Sequence, residues 1–285
     1  MKVFKLAVLD IFQGTWLKLR YLIFIVVLLM VFGNFQSTMD AYMAISGDAR
    51  LTLTDSLAFV CQGIAPASGN AGMESFVMPV TWLLFMMLQL LIPLDHPVHS
   101  MELWGSQYIV RTGRRSWWLS KSIYTLAVNL LSFGIYLCTA ILFCAAHSIS
   151  LTMDGNAGFY KTLFGAVDLS NFQMLSVSEN VLLFIILPLS AICAMSMIQL
   201  FIAVWFHPIA AYLVTVSLLV LSAFFRQPWL LGNHGMAIRS AMIDSGGIAP
   251  HTAVLWCAIF YLTAFFAGFI WIRKKDMSGL KKEET

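Results

Sequence analysis

The sequence predicts an all-α integral membrane protein with six transmembrane helices. Of its 285 residues, 60% are hydrophobic and 11% are charged, whereas soluble domains carry about 25% charged residues. Six uncharged stretches are each long enough to cross about 30 Å of hydrocarbon as a helix. Because the stretches do not alternate apolar and polar residues as barrel strands do, we expect helices. They cover residues 21–39, 75–94, 122–146, 180–206, 208–225 and 252–272.

The distribution of Lys and Arg predicts that both termini are cytoplasmic. With the N-terminus inside, 13 of the 17 basic residues fall on the cytoplasmic side, as the positive-inside rule requires. The four basic residues left outside are Arg50, Lys161, Arg226 and Arg239. The formal net charge of +3 therefore reflects topology, and we expect no nucleic-acid partner. Residues 1–285 are interpreted as a single membrane domain.

Residues 1–19 are predicted to form an amphipathic helix in the cytoplasmic interface. Apolar side chains recur there at helical spacing with lysines around them, which is typical of helices that lie on a membrane. These residues are Phe4, Val8, Ile11 and Phe12, with Lys2, Lys5 and Lys18. An overlong first span is the alternative, but it would bury Lys18 and Arg20 at high cost.

The cytoplasmic segment between spans two and three is unusually polar and aromatic. Trp104–Lys121 contains four cations and three tryptophans. Membrane anchoring accounts for some of them, because Arg satisfies the positive-inside rule and Trp favours the interface. Anchoring does not account for the length of the segment 96–120 or for a stretch able to form a helix, Met101–Val110. A short helix presented to the cytosol suits contact with a soluble motor subunit.

Several absences narrow the function. The sequence contains no G-x-x-x-x-G-K-[ST] motif, so we expect no ATP site of the P-loop type in this chain. The six predicted spans contain no Asp, Glu, Lys or Arg, which disfavours proton pumps and ion-coupled transporters. Any energy input is therefore expected from outside the membrane.

Polar residues inside the spans allow two interpretations. Gln89, Asn129 and Gln199 would either form hydrogen bonds between helices or line a pathway for an amphipathic substrate. A separate cluster, Asp95, His96 and His99 in D-H-P-V-H, has ligand types that bind zinc. It leaves open a membrane-embedded metal-dependent enzyme, such as a lipid-modifying enzyme or a protease.

The order of elements and the pattern Y-I-V-R-T-G-R-R-S-W-W-L-S-K-S, residues 108–122, resemble the membrane subunit of ABC-2-type transporters. In that family an arginine, a short basic turn and W-x-x-x-K lead from the coupling helix into span three. The resemblance implies a coupling helix that docks on an ATPase, with the N-terminal helix beside it. It assigns to the coupling helix Glu102, Trp104, Gln107, Tyr108 and Arg111, and to the turn after it Arg114 and Arg115.

The resemblance also implies partners and a location. The chain would be a non-catalytic permease with no cofactor of its own, because ATP and Mg²⁺ would be bound by two partner ATPase subunits. A second permease, either another copy or a related chain, would complete the pathway in the lipid of a bacterial plasma membrane. Peptides, antimicrobials, drugs and lipids are the expected cargo classes. An uncoupled membrane immunity or interaction protein remains a third reading.

Overall fold

The computed structural model describes residues 2–15, 19–47, 50–65, 78–94, 97, 113–165 and 174–272. These residues are 79% helical and form no β-strand. The prediction of an all-α membrane protein is confirmed at this level. The numbered helices are α1 Lys2–Thr15, α2 Leu19–Ser46, α3 Leu53–Cys61, α4 Val80–Leu91, α5 Arg114–Ala146, α6 Ala157–Leu163, α7 Val177–Trp205, α8 Pro208–Phe224 and α9 Pro250–Trp271.

Four of these helices are long and apolar enough to cross a membrane: α2, α5, α7 and α9, with 28, 33, 29 and 22 residues. The predicted second and fifth spans coincide with α4 and α8, which have 12 and 17 residues. At about 1.5 Å per residue, α4 is about 18 Å long, less than the hydrocarbon thickness. The chain is therefore multi-pass, and the number six stays a prediction.

Six of these helices run between the same two ends of the molecule: α2, α4, α5, α7, α8 and α9. One end, here named the α1 end, holds α1, the start of α2 and α5, and the end of α9. Trp205 and Trp271, the last residues of α7 and α9, meet there with ring centroids 5.4 Å apart. The opposite end, named the loop end, holds α3, α6 and the segment 226–249. Along the chain, α2, α4, α5, α7, α8 and α9 alternate in direction between these ends.

Arginines from other parts of the chain cap the C-terminal ends of α4 and α8. Arg20 donates from Nη1 to the Leu91 carbonyl at the end of α4, at 3.0 Å. Arg239 donates from Nη2 to the Ala223 carbonyl at the end of α8, at 2.8 Å. The last carbonyls of a helix lack intrahelical partners and carry a partial negative charge. A guanidinium supplies both the missing donor and the compensating charge.

Helix α7 contains a widened turn that its sequence explains. Residues Leu182–Ile186 form a π-helical turn that ends two residues before Pro188. Pro188 has no N–H to donate, and its ring in a regular α-helix would clash with the carbonyl of Phe184. A widened turn relieves that clash and lets the helix continue.

Helix α7 is the centre of the bundle and packs on α5, α8 and α9. The outward faces of α2 and α9 are apolar, with Met30 67% and Leu255 59% exposed. Such faces suit contact with lipid. Helix α1 differs from the expectation of a helix that only lies on the membrane, because one face packs on α5. Phe4 and Phe12, from the face assigned to the membrane, stay exposed.

Candidate functional site

A buried ion pair joins α1 to the first turns of α5. Lys121 donates from Nζ to Asp10 Oδ1 at 2.7 Å, and Ser120 donates from Oγ to Asp10 Oδ2 at 2.7 Å. The side chains of Lys121 and Asp10 are only 2% and 5% exposed. Lys121 Nζ also lies 5.8 Å from the ring centroid of Trp117. The carboxylate is thus matched by a cation and a hydroxyl, and the two helices are fixed in register.

A glycine permits the close approach of these two helices. Gly14 of α1 faces the ring of Tyr124 on α5, and a Cβ at this position would collide with that ring. Hydrogen bonds and ion pairs in a dry environment require well-fixed geometry to outweigh the loss of hydration. The Gly14–Tyr124 contact supplies that geometry one helical turn after Asp10.

On its other side, the start of α5 is attached to the end of α9. Trp118 donates from Nε1 to the Phe265 carbonyl at 3.0 Å, and its ring packs so close to Gly268 that no Cβ would fit there. The Arg115 guanidinium carbon lies 5.2 Å from the centroid of the Phe269 ring, a cation–π distance. Helices α1, α5 and α9 therefore form one connected unit at the α1 end.

This unit overlaps the last seven residues of the predicted coupling region 96–120, because α5 begins at Arg114. Arg114 and Arg115, expected in the turn after the coupling helix, are the first two residues of α5. The third predicted span began at residue 122, whereas α5 begins eight residues earlier and includes the buried Lys121. The remaining coupling residues lie outside the described residues: Glu102, Trp104, Gln107, Tyr108 and Arg111.

Asp10 and Ser120 were not among the residues that the sequence singled out, and Lys121 was noted only as the lysine of the W-x-x-x-K pattern. The available signal was that Asp10 is the only acidic residue in 2–19, a segment with three lysines and a mostly apolar sequence. An isolated carboxylate on such a helix requires a cation partner. The sequence did not identify which of the 17 Lys and Arg residues supplied it.

The three polar residues proposed from the spans are brought together inside the bundle. Gln89 Oε1 accepts from Ser132 Oγ at 2.5 Å, and Asn129 Oδ1 accepts from Ser196 Oγ at 3.3 Å. Gln199 donates to the Leu90 carbonyl at 2.9 Å and accepts from Thr215 at 3.1 Å. These bonds link α4, α5, α7 and α8, and each of the three side chains is buried.

This polar layer is incompletely satisfied and borders a small cavity. Gln89 Nε2 and Asn129 Nδ2 are buried and make no hydrogen bond to the described residues. The cavity, of about 10 Å³, is lined in part by Thr125, Ser196 and Gln199. This volume holds about one water molecule. The layer thus forms polar contacts between helices, in a bundle with no room for a large ligand at this position.

At the loop end, Asp55 connects two short helices. Its Oδ2 accepts from Thr52 N at 2.8 Å and Thr52 Oγ1 at 3.0 Å, and its Oδ1 accepts from Asn156 N at 2.9 Å. Thr52 is the N-cap of α3, and the Asn156 side chain caps α6 by accepting from Phe159 N at 3.0 Å. Burial raises the pKa of Asp55 to about 6, against the effect of these hydrogen bonds.

The metal alternative rests on residues that the structure does not describe. Asp95, His96 and His99 all lie outside the described ranges. Within those ranges, His, Cys, Asp and Glu form no group of three or more that would hold a metal ion.

Comparison of the chain with protein-family models, curated proteins and solved structures gave no match.

Proposed function

We propose that the chain is the membrane subunit of an ATP-driven exporter of the ABC-2 type, powered by separate ATPase subunits. The observation that carries the proposal is the connected unit at the α1 end. The predicted coupling region 96–120 leads into α5, which is attached to α1 through Asp10 and Lys121. It is also attached to α9 through Trp118. A displacement of the coupling region would therefore move three helices together.

In this proposal the chain has six spans and cytoplasmic termini. The six helices that alternate between the two ends support that arrangement, as does the concentration of Lys and Arg toward one side. In this proposal α4 and α8 are the second and fifth spans, predicted at residues 75–94 and 208–225. Arg20 and Arg239, bound at their last carbonyls, satisfy backbone groups that hydrocarbon could not.

The translocation pathway is proposed to lie between two permeases, either two copies or this chain with a related one. The 10 Å³ cavity is far too small for a peptide, antimicrobial, drug or lipid-like substrate. Gln89, Asn129 and Gln199 are proposed to border the pathway when the bundle rearranges. The unpaired amide nitrogens of Gln89 and Asn129 and the hydroxyl partners of all three residues would then exchange hydrogen bonds between helices at small cost, about 1 kcal/mol each.

The partners follow from the same proposal. Two ATPase subunits would bind ATP and Mg²⁺ and dock on Glu102, Trp104, Gln107, Tyr108 and Arg111, with Arg114 and Arg115 beside them. The location would be the plasma membrane of a bacterium. This chain itself would catalyse no reaction.

The first test is purification of the tagged chain from its native host in mild detergent, with identification of co-purified proteins and measurement of ATP hydrolysis. We expect a stoichiometric P-loop ATPase and vanadate-sensitive turnover. A chain that elutes alone and hydrolyses no ATP would contradict the proposal. If that preparation contained zinc and lost an activity on replacement of His96 and His99 by Ala, the enzyme alternative would replace it.

The second test addresses the docking residues. Glu102→Arg and Arg111→Glu should each reduce the amount of ATPase that co-purifies, while membrane insertion is unchanged. Lys161→Glu is the matched control, because Lys161 is an exposed cation on α6 at the loop end. If all three variants recovered as much ATPase as the wild-type chain, the coupling region would not be part of the ATPase interface.

A further inference from the structure

Arg239 is a buried cation at the loop end with one donor group unused. It is 0% exposed, and it donates from Nε to the Ile64 carbonyl at 2.6 Å and from Nη2 to the Ala223 carbonyl at 2.8 Å. Its Nη1 is buried and makes no hydrogen bond within the described part of the chain. A guanidinium carries five N–H donors in a fixed planar arrangement. The side that carries Nη1 is thus left unsatisfied.

The charges around Arg239 do not balance. Residues 226–250 contain two arginines and a single carboxylate, Asp244, which gives a formal charge of 2 − 1 = +1. Asp244 accepts from Arg226 Nη1 in an ion pair and also attracts the Arg239 guanidinium, so one carboxylate faces two cations. Burial lowers the pKa of Arg239 to about 10, which still leaves the group protonated at neutral pH. A buried cation without a paired anion costs several kcal/mol.

The Arg226–Asp244 pair stands at the surface beside this cation. The chain turns back after Arg239, because Ile248 N donates to the Arg239 carbonyl at 2.7 Å, and Asp244 lies within that turn. The side chains of Arg226 and Asp244 are 27% and 17% exposed. An incoming anion would meet Arg226 first and would compete with Asp244 for both guanidinium groups.

Apolar surface borders this entrance. Phe225 and Trp229, on either side of Arg226 in sequence, are 57% and 49% exposed, and Leu221 on α8 is 42% exposed. Aromatic side chains of this kind concentrate at the level of lipid headgroups. A cationic site with apolar surface beside it suits a phosphate that carries acyl chains.

We propose that the segment 226–249 binds a phosphate oxyanion between Arg226 and Arg239, with displacement of Asp244 from its ion pair. Guanidinium groups bind phosphate through paired N–H···O bonds, and Nη1 of Arg239 is the group available for them. A lipid headgroup is the favoured source because of the apolar border, and free phosphate shares the same chemistry. The site is separate from the proposed ATPase interface and does not depend on export.

The test uses the full-length chain in an uncharged, phosphate-free detergent buffer and follows thermal unfolding by tryptophan fluorescence. Three additives are titrated separately: inorganic phosphate, a short-chain phosphatidylglycerol, and a diacylglycerol of matched chain length without a phosphate. We expect phosphatidylglycerol to raise the Tm and the diacylglycerol to leave it unchanged. A rise with inorganic phosphate as well would show that the oxyanion alone is sufficient.

Three variants are expected to weaken, strengthen and leave unchanged the phosphate-dependent rise in Tm. Arg239→Gln should weaken phosphate-dependent stabilisation by about tenfold or more in apparent affinity, as expected for loss of a charge-assisted pair. Asp244→Asn should strengthen it, because the competing carboxylate is gone. Lys161→Gln, which removes an exposed cation elsewhere at the loop end, should leave it unchanged.

Two results would overturn the proposal. One is the absence of any phosphate-dependent shift in the wild-type chain with either phosphate compound. The other is an equal shift in the wild type and Arg239→Gln. If Arg239→Gln does not fold, Asp244→Asn decides alone, since unchanged or weaker stabilisation in that variant contradicts displacement of Asp244.

Discussion

The two ends of the molecule treat buried charge in opposite ways. At the α1 end, Lys121 and Asp10 neutralise each other at 2.7 Å, with Ser120 on the second carboxylate oxygen. At the loop end, Arg239 is equally buried, and within the described residues its hydrogen bonds go only to backbone carbonyls. Binding of a further anion would not stabilise a pair that is already neutral, whereas it would stabilise a buried cation that has no paired anion. The difference is consistent with a rigid connection of α1, α5 and α9 at one end and a site that responds to a bound anion at the other.

The largest effect is expected from breaking the ion pair at the α1 end. Lys121→Met would leave the Asp10 carboxylate buried without its cation, so the free energy of unfolding should fall by about 3–5 kcal/mol. Denaturant titration of the detergent-solubilised chain measures this. The double variant Asp10→Asn/Lys121→Met should recover part of the loss, because no unpaired charge remains. Asp10→Asn alone completes the cycle, and a double variant whose loss equals the sum of the losses of Asp10→Asn and Lys121→Met would show that the residues do not interact.

A smaller effect is expected from the corresponding change at the loop end. Arg239→Met leaves two carbonyls without their donor, which costs about 2 kcal/mol, but it also removes a buried cation that has no paired anion. We therefore expect a net loss no larger than this in phosphate-free buffer. The same titration applies. A loss as large as that of Lys121→Met would mean that the two ends do not differ, and that Arg239 has an anionic partner within the chain.

Asp55 should make the loop end respond to pH. Its pKa in the folded chain is raised from 3.8 to about 6, so the folded state holds this proton more tightly than the unfolded state does. The stabilisation is fully present below pH 3.8 and is lost as the pH rises through 6. Between pH 5 and pH 7 the loss should be about 1 kcal/mol. Asp55→Asn should remove this component from the measured pH profile; an identical profile would contradict the assignment.

The smallest effect is expected midway between the two ends. Thr215→Val keeps the shape of the side chain but removes the hydroxyl that donates to Gln199 Oε1 at 3.1 Å. Bonds of this kind between membrane helices average about 0.6 kcal/mol, and denaturant titration should return a loss of that size. Val216→Thr, on the same helix, controls for adding rather than removing a hydroxyl. A loss above that of Arg239→Met would place the polar layer among the main stabilising contacts.

The sequence predicted the membrane helices well because the bilayer imposes a simple rule on length and polarity. Uncharged runs mark α2, α5, α7 and α9 directly. It did not predict how short α4 is, which follows from Pro79 and Pro93 on either side of it. Periodicity in 2–19 identified a helix with exposed Phe4 and Phe12 but missed the face that packs on α5, and it assigned Ile11, which packs against the core, to the membrane face.

The contacts that matter most for the candidate sites were not predictable from one sequence. Asp10 and Lys121 are 111 residues apart, and no local pattern selects one lysine among many. Arg239 stands in a segment of small and apolar residues and was assigned to the outside as a topological marker. Its burial depends on α8 ending where it does and on the residues after α3 lying alongside. Gln89, Asn129 and Gln199 were identified by type, while their shared layer depends on the rotation of four helices.

The π turn at Leu182–Ile186 has a consequence for how the chain tolerates change. Its additional residue rotates the outer part of α7 by about 100° relative to the part after Pro188. That rotation directs Asn180 toward the Met153 carbonyl, to which it donates at 2.8 Å, and toward Tyr160. Substitutions within the turn preserve this phase. Deletion of a single residue from the turn would change the rotation between the two parts of α7. The length of this short stretch is therefore more constrained than its composition.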